Sequence, residues 1–296
     1  MPELAPPSPQ SWNVSRLLEW ATGFFRDHGI DTPRLDAEVL LAHTLALGRL
    51  ELYTHYDRPL IAAELAAFKD LILHRARKRL PVAYILGQKE FWSLPLKVSQ
   101  QVLIPRPDTE CLVEAALARL PKGELPTPMR LVDVCTGSGA VALALQKERP
   151  HLEIWATDIS EQALAIAAEN SRMLGLEGIR FVHGDLLLDL PPDALPLHMI
   201  VANPPYLRSD EMAALAPELL HEPAIALDGG EDGLVTLRRL LEQSWLRLAP
   251  EGFFLCEIGH EQGESTRLLA AHLGYEDTTV LKDYGNCDRV LVARRP

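Results

Sequence analysis

Leu131-Val132-Asp133-Val134-Cys135-Thr136-Gly137-Ser138-Gly139-Ala140 reads as a buried strand that turns into a helix through small residues. Gly137 and Gly139 would let a ligand approach the backbone, and the N–H groups that open the helix would face it. Strand, small-residue turn and helix in that order make the opening unit of a parallel α/β sheet. Outward from it the alternation continues, with strands predicted over 130–135, 153–157, 179–183, 198–202, 252–258, 278–282 and 289–293. Helical segments separate the early strands, and the last two are close enough to form a hairpin. The fold class is therefore α/β, a seven-stranded and mostly parallel sheet with an antiparallel end.

Upstream the pattern changes. Helices are predicted over 16–28, over 34–47 behind the start signal Thr32-Pro33, and over 61–80, enough for a small N-terminal bundle. Tyr84 to Trp92 and Leu94 to Val98 read as strands or a hairpin, and Asp108 as the start of a helix to about Leu120. Pro121 to Pro128 has the turn density of a linker. The expected domains are 1–82, helical and substrate-recognising; 83–125, hairpin bridge, helix and linker; and 126–296, the catalytic sheet domain. The start, Met1 to Pro9, lacks the basic and apolar regions of a secretory signal and is expected to be a loose tail.

With 296 residues, 47% hydrophobic and 24% charged, the chain can bury one large core and one smaller one. A formal net charge of −12 disfavours tight binding to bare nucleic acid. The basic run His74-Arg75-Ala76-Arg77-Lys78-Arg79 reads first as the solvated end of a helix, and second as a docking surface. Cys111, Cys135, Cys256 and Cys287 form no C-x-x-C pair, which argues for free thiols, a cytoplasmic protein and no metal. No apolar run reaches membrane-spanning length. A monomer is expected.

Gly137-Ser138-Gly139-Ala140-Val141-Ala142 also satisfies a nicotinamide fingerprint, a weak signal alone. Asp133 distinguishes the two cases. A carboxylate two positions before the turn would repel a pyrophosphate and suit a ligand carrying an ammonium and a sulfonium, such as S-adenosylmethionine, with S-adenosylhomocysteine as product. Asp158 ends the next strand, where a carboxylate accepts from ribose hydroxyls, and Ser160 caps the following helix. Asp185 ends the third and is placed to accept from an adenine amino group, with Ile159 and Leu186 against the ring. One such Asp would be an ordinary cap or turn; three at successive strand ends point to an adenosine-type cofactor held by Asp133, Cys135, Thr136, Gly137, Ser138, Gly139, Asp158, Ile159, Asp185, Leu186 and Asn203.

Asn203-Pro204-Pro205-Tyr206 follows the apolar run His198 to Ala202. The Asn203 side-chain oxygen and the Pro204 carbonyl can accept both hydrogens of a planar NH2 group while Tyr206 covers its flat face, which suits N-methylation. Nucleobase and amide nitrogen are equally open on these residues alone.

The turn after Asp133, with Asp158, Asp185 and Asn203-Pro204-Pro205-Tyr206, resembles class I, Rossmann-like methyltransferases that act on exocyclic or amide nitrogen. Phe91 to Leu96, Ile104-Pro105-Arg106-Pro107-Asp108-Thr109-Glu110 and Glu222 to Leu234 narrow the resemblance to the HemK-type (PrmC-type) protein-glutamine N5-methyltransferases. It covers nearly the whole chain. It implies methyl transfer to the glutamine of the Gly-Gly-Gln loop of class I peptide-chain release factors, and puts Arg106 and Glu110 in the wall of the substrate pocket; the alternative for that pair is an ion pair between domains. One departure is Cys135, where the family has Gly. Cofactor binding is expected to survive if the backbone there avoids φ values suited only to Gly; with no histidine recognisable nearby, a catalytic thiol is not expected. Two other functions use the same residues: a DNA or RNA adenine amino-methyltransferase, which would need a basic face, and a non-catalytic S-adenosylmethionine-binding module, in which the tetrad would be idle.

Overall fold

The computed structural model describes residues 12–123 and 129–296. The expected tail at 1–9 and the linker residues 124–128 lie outside them. The chain divides into two compact units, Met1–Gly87 and Gln88–Pro296.

The first unit is helical: α1 (Val14–Asp27), α2 (Pro33–Leu45), a single turn α3 (Glu51–Thr54), α4 (Ala62–Lys78) and α5 (Val82–Leu86). Asn13 starts α1 by accepting the Arg16 N–H at 2.9 Å. Val14, Leu17, Leu18, Ala21 and Phe25 then fall on one face and are buried, as a 3.6-residue period requires. They pack with Leu40, Leu41, Phe68 and Ile72 in one core. The basic run is not a solvated face throughout. Arg75 is buried and its Nε donates to Asp36 Oδ2 at 2.7 Å, and Arg79 donates to the His28 and Gly29 carbonyls at 2.8 Å, closing the end of α1. The strand expected from Tyr84 is corrected too. Pro81 sets the entry and Gly87, at φ 69, the exit of a short helix, so Tyr84 to Leu86 are helical and extended backbone begins at Gln88.

The second unit opens with the hairpin β1 (Gln88–Phe91) and β2 (Leu94–Lys97), turned by Trp92 and Ser93 at φ 51 and 54, the primed turn that matches strand twist. Phe91, Leu94 and Leu96 lie in this unit's core, so the hairpin belongs to the sheet unit. After α6 (Glu110–Leu117) come β3 (Arg130–Val134), α7 (Ala140–Glu148), β4 (Glu153–Asp158), α8 (Glu161–Leu174), β5 (Ile179–His183), β6 (Leu197–Ala202), α9 (Val235–Arg247), β7 (Leu248–Glu257), α10 (Gly263–His272), β8 (Glu276–Lys282) and β9 (Asp288–Arg294). The seven strands of the sheet lie in the order β5-β4-β3-β6-β7-β9-β8. The pairs from β5 through β7 are parallel, and β9 runs antiparallel to β7 and β8. Alternate residues serve opposite faces: Leu131 and Val201 join a core with Leu112 and Leu143, while Val132 and Ile200 join one with Trp155, Leu240 and Phe254. Chain order reverses between β3 and β6, and ligands of open α/β sheets bind at the carboxyl ends of strands at such a reversal.

Candidate active site

A cavity of about 260 Å³ opens at that point, bordered by Asp133 near the end of β3, Asp158 at the end of β4, Asp185 after β5 and Asn203 after β6. Asp133 is buried. Its Oδ2 accepts the Thr136 hydroxyl at 2.6 Å and the Ala142 N–H at 3.1 Å. Burial pushes its carboxyl up to about 7 against the pull of those two bonds, and no cation pairs with it among the described residues. A buried acid on a cavity wall with its countercharge missing fits a ligand that brings a cation.

The turn after β3 is tied to β4. Asp158 accepts the Gly137 N–H at 2.9 Å on one oxygen and the Ser160 N–H at 2.9 Å on the other, which fixes a carboxylate at the cavity edge. Burial nonetheless raises its pKa. Gly137, at φ 57, would carry a Cβ into open space, so a ligand can come up to its backbone. Gly139 has another role. A Cβ there would meet Ala167 Cβ and Leu143 Cδ1 at 3.1 Å, and it does not border the cavity; its bare backbone lets α7 pack on α8.

Cys135 departs from expectation in its backbone. It sits at φ 59, in the left-handed region the sequence reading required it to avoid. Burial holds its thiol far above the ordinary range, so it is inert at neutral pH. Leu186, also on the wall, is left-handed too, at φ 58. Both follow strands at the cavity rim, where strained backbone collects in binding sites. Ile159 borders the cavity while 52% exposed, an apolar surface for a flat ring. The Asp185 carboxylate is paired with Arg239 of α9, which also borders the cavity.

On the other wall, Asn203 Nδ2 donates to Thr109 Oγ1 at 3.3 Å, leaving Oδ1 as the amide's acceptor. Asn203 and Pro205 border the cavity; Pro204 and Tyr206 do not. The Tyr206 phenol is pushed up to about 12, first by burial and then by the Glu257 charge, so it stays protonated. The tetrad's backbone is clamped. The Leu207 N–H donates to Leu227 O at 3.0 Å, the Gly229 N–H to Leu207 O at 2.7 Å, and Gln262 Nε2 to Tyr206 O at 2.9 Å. A Cβ on Gly229 would lie 2.8 Å from Tyr206 Cα, and one on Gly233 2.5 Å from Tyr206 O, which explains the glycines of the Asp228 to Gly233 loop.

Arg106 and Glu110 do not pair with each other, and neither borders the cavity. Arg106 is paired with the buried Glu222, while Glu110 accepts the Trp92 N–H at 2.9 Å and so joins the hairpin to α6. Long side chains choose partners by tertiary proximity, and these two point to different segments. Arg289, early in β9, reaches Asp283 at 2.9 Å and Asp108 at 3.5 Å.

Sequence reading missed Thr109, Arg239, Glu257 and Gln262. Glu257 offered a signal, since it ends an apolar strand as Asp133, Asp158 and Asp185 do. It is buried, the Thr109 hydroxyl neighbours its carboxylate and pulls its pKa down, and its Oε2 has no partner. Burial pushes its carboxyl up to about 7. The others carried no local pattern.

Comparison with known proteins gives the chain's family. Residues 16–87 match the family described as the PrmC N-terminal domain, and residues 114–249 the methyltransferase small domain. A release factor glutamine methyltransferase of Coxiella burnetii is 42% identical over 264 residues, covering 89% of this chain and 92% of the relative. One of Geobacter sulfurreducens is 37% identical over 287 residues, covering 97% and 98%. The crystal structure of a methyltransferase from Pyrococcus furiosus has the same fold at a TM-score of 0.53 and 18% identity, covering 77% of this chain and 97% of that one. At this identity and coverage, the chain belongs to the release factor glutamine methyltransferase family.

Proposed function

We propose that this protein transfers a methyl group from S-adenosylmethionine to the side-chain amide nitrogen of the glutamine in the Gly-Gly-Gln loop of class I peptide-chain release factors. The observation that carries the reading is the Asn203 amide, at the end of β6 on the cavity wall, with its NH2 engaged by Thr109 and its oxygen left to accept. Family membership supplies the acceptor class.

The residues present fit the cofactor. Asp133 would take its ammonium, Asp158 its ribose hydroxyls, Gly137 the close approach of its chain, and Ile159 and Leu186 the faces of its adenine. Asp185, already paired with Arg239, keeps lone pairs for the adenine edge. When bound, it supplies a methyl group made electrophilic by the sulfonium.

An amide nitrogen is a poor nucleophile because its lone pair is delocalised onto the carbonyl. Asn203 Oδ1 accepts one N–H of the glutamine amide at the cavity wall, and the second is assigned to the Pro204 carbonyl although Pro204 does not border the cavity; together they aim the nitrogen and stabilise positive charge developing on it. The Tyr206 phenol, held protonated, takes no proton at neutral pH. The proton leaves after transfer, so no strong base is needed. Free thiols at all four cysteines support a cytoplasmic site of action.

Mass spectrometry of a release factor incubated with the protein and S-adenosylmethionine tests the reading. One added methyl on the Gly-Gly-Gln peptide is expected, lost in a Gln→Ala release factor. Asn203→Ala should cut turnover far more than cofactor affinity. Methyl appearing in nucleic acid alone would overturn the proposal.

A further inference from the structure

Glu257 is a buried carboxyl that the scheme above leaves unused. It ends β7 next to the β6 segment that delivers the acceptor grip, since Ala202 is in register with Cys256. It is 2% exposed, and Oε2 has no hydrogen-bond partner. Thr109, itself 4% exposed, stands between Glu257 and Asn203: its hydroxyl neighbours the carboxylate and pulls its pKa down, and it takes the Asn203 Nδ2–H at 3.3 Å.

The direction of this chain follows from donor and acceptor counts. An ionised carboxylate only accepts, so the one hydroxyl proton of Thr109 goes to Glu257. The Thr109 oxygen can then only accept from Asn203, which must present NH2 to Thr109 and Oδ1 to the cavity. Reversing the relay turns the amide over, placing NH2 against the NH2 of the acceptor, where donor meets donor. We propose, resting on the glutamine reading above, that Glu257 is a positioning residue: through Thr109 it selects the amide orientation of Asn203 that accepts the substrate nitrogen's hydrogens.

A protonated Glu257 can donate to Thr109 and release the constraint. Its titration is therefore a readout, and the charged and titratable groups around it are Arg289 from β9, Arg106 and Asp108 from the segment before α6, Tyr206 after β6 and the adjoining Cys256. Burial places its pKa at about 7, within an accessible assay range.

The test is methyl transfer to a release factor at saturating S-adenosylmethionine by the full chain and by Glu257→Gln, Thr109→Val, Thr109→Ser and the Glu257→Gln/Thr109→Val double variant. Affinity for S-adenosylhomocysteine and thermal midpoints are measured alongside. Glu257→Gln and Thr109→Val should each lower kcat roughly 10- to 100-fold while KM for the release factor and the affinity for S-adenosylhomocysteine hold. Thr109→Ser, which keeps the hydroxyl, should stay near wild type. The double variant should be no slower than the slower single, because both break one relay. The wild-type fall in kcat below pH 7 should be absent in Glu257→Gln. Near-normal kcat in Glu257→Gln, multiplicative losses in the double variant, or Thr109→Ser as slow as Thr109→Val would each overturn the assignment while leaving the glutamine reading intact. A wild-type chain that methylates no release factor would overturn both.

Discussion

Arg106 and Glu222 form an ion pair across 116 residues of sequence, and the second oxygen of Glu222 accepts the Ile104 N–H at 3.1 Å. One buried carboxylate thus fastens the segment before α6 to the segment after the tetrad. Both segments border the cavity, through Pro105 and Thr109 on one side and Pro223 on the other.

Glu222→Ala removes both bonds and leaves a buried N–H unpaired. It should destabilise the protein by about 2–3 kcal/mol, since the arginine keeps partial access to water. Chemical denaturation gives the value; a change under about 0.5 kcal/mol would mean the pair is ornamental.

Cofactor affinity should depend on pH through Asp133. Its carboxyl, near 7 in the free protein, must ionise to meet an ammonium. Affinity should weaken about tenfold from pH 8 to pH 6, with close to one proton released on binding at the lower pH. Titration calorimetry in buffers of different ionisation enthalpy reads both. Asp133→Asn should bind weakly and without this slope.

The same residue has a second, opposite signature in the protein without ligand. Its folded pKa lies above that of an unfolded carboxylate, so the folded state binds the proton more tightly. The cost of its burial is absent below about pH 4, grows as pH rises, and is complete above 7. Asp133→Asn should accordingly match wild type in stability in acid and exceed it at pH 8, by up to about 4 kcal/mol. Equal stability at both pH values would show that the carboxyl is not shifted.

At Cys135 the left-handed backbone sets the rule. Cys135→Gly relieves the Cβ contact and loses some packing, and should stay within about 1 kcal/mol of wild type. Cys135→Val adds a branched Cβ in the same conformation and should cost about 2 kcal/mol or more. Thermal melts of the pair settle the order.

Gly233→Ala should disturb the tetrad from a distance. Its Cβ would fall 2.5 Å from the Tyr206 carbonyl, at a backbone φ of 72. Turnover should drop at least tenfold, with S-adenosylhomocysteine affinity little changed, because the displaced atoms lie on the acceptor side of the cavity. Unchanged kcat would show that the loop yields without moving the tetrad.

Much of this protein is written locally. The alternation of strands and helices, the small-residue turn after β3, and the carboxylates at three successive strand ends follow from side-chain period, turn chemistry and the rule that parallel strands end at ligand sites. Those features bring Asp133, Asp158, Asp185 and Asn203 to one cavity because neighbouring strands of a parallel sheet end together. Only the tertiary structure decided the pairings. Arg106 takes Glu222 rather than Glu110, Gly139 makes room for a helix rather than a ligand, Cys135 turns left-handed, and Thr109 meets Asn203 across 94 residues. Local pattern records backbone preference and burial, whereas the partner of a polar side chain exists only once distant segments have been packed side by side.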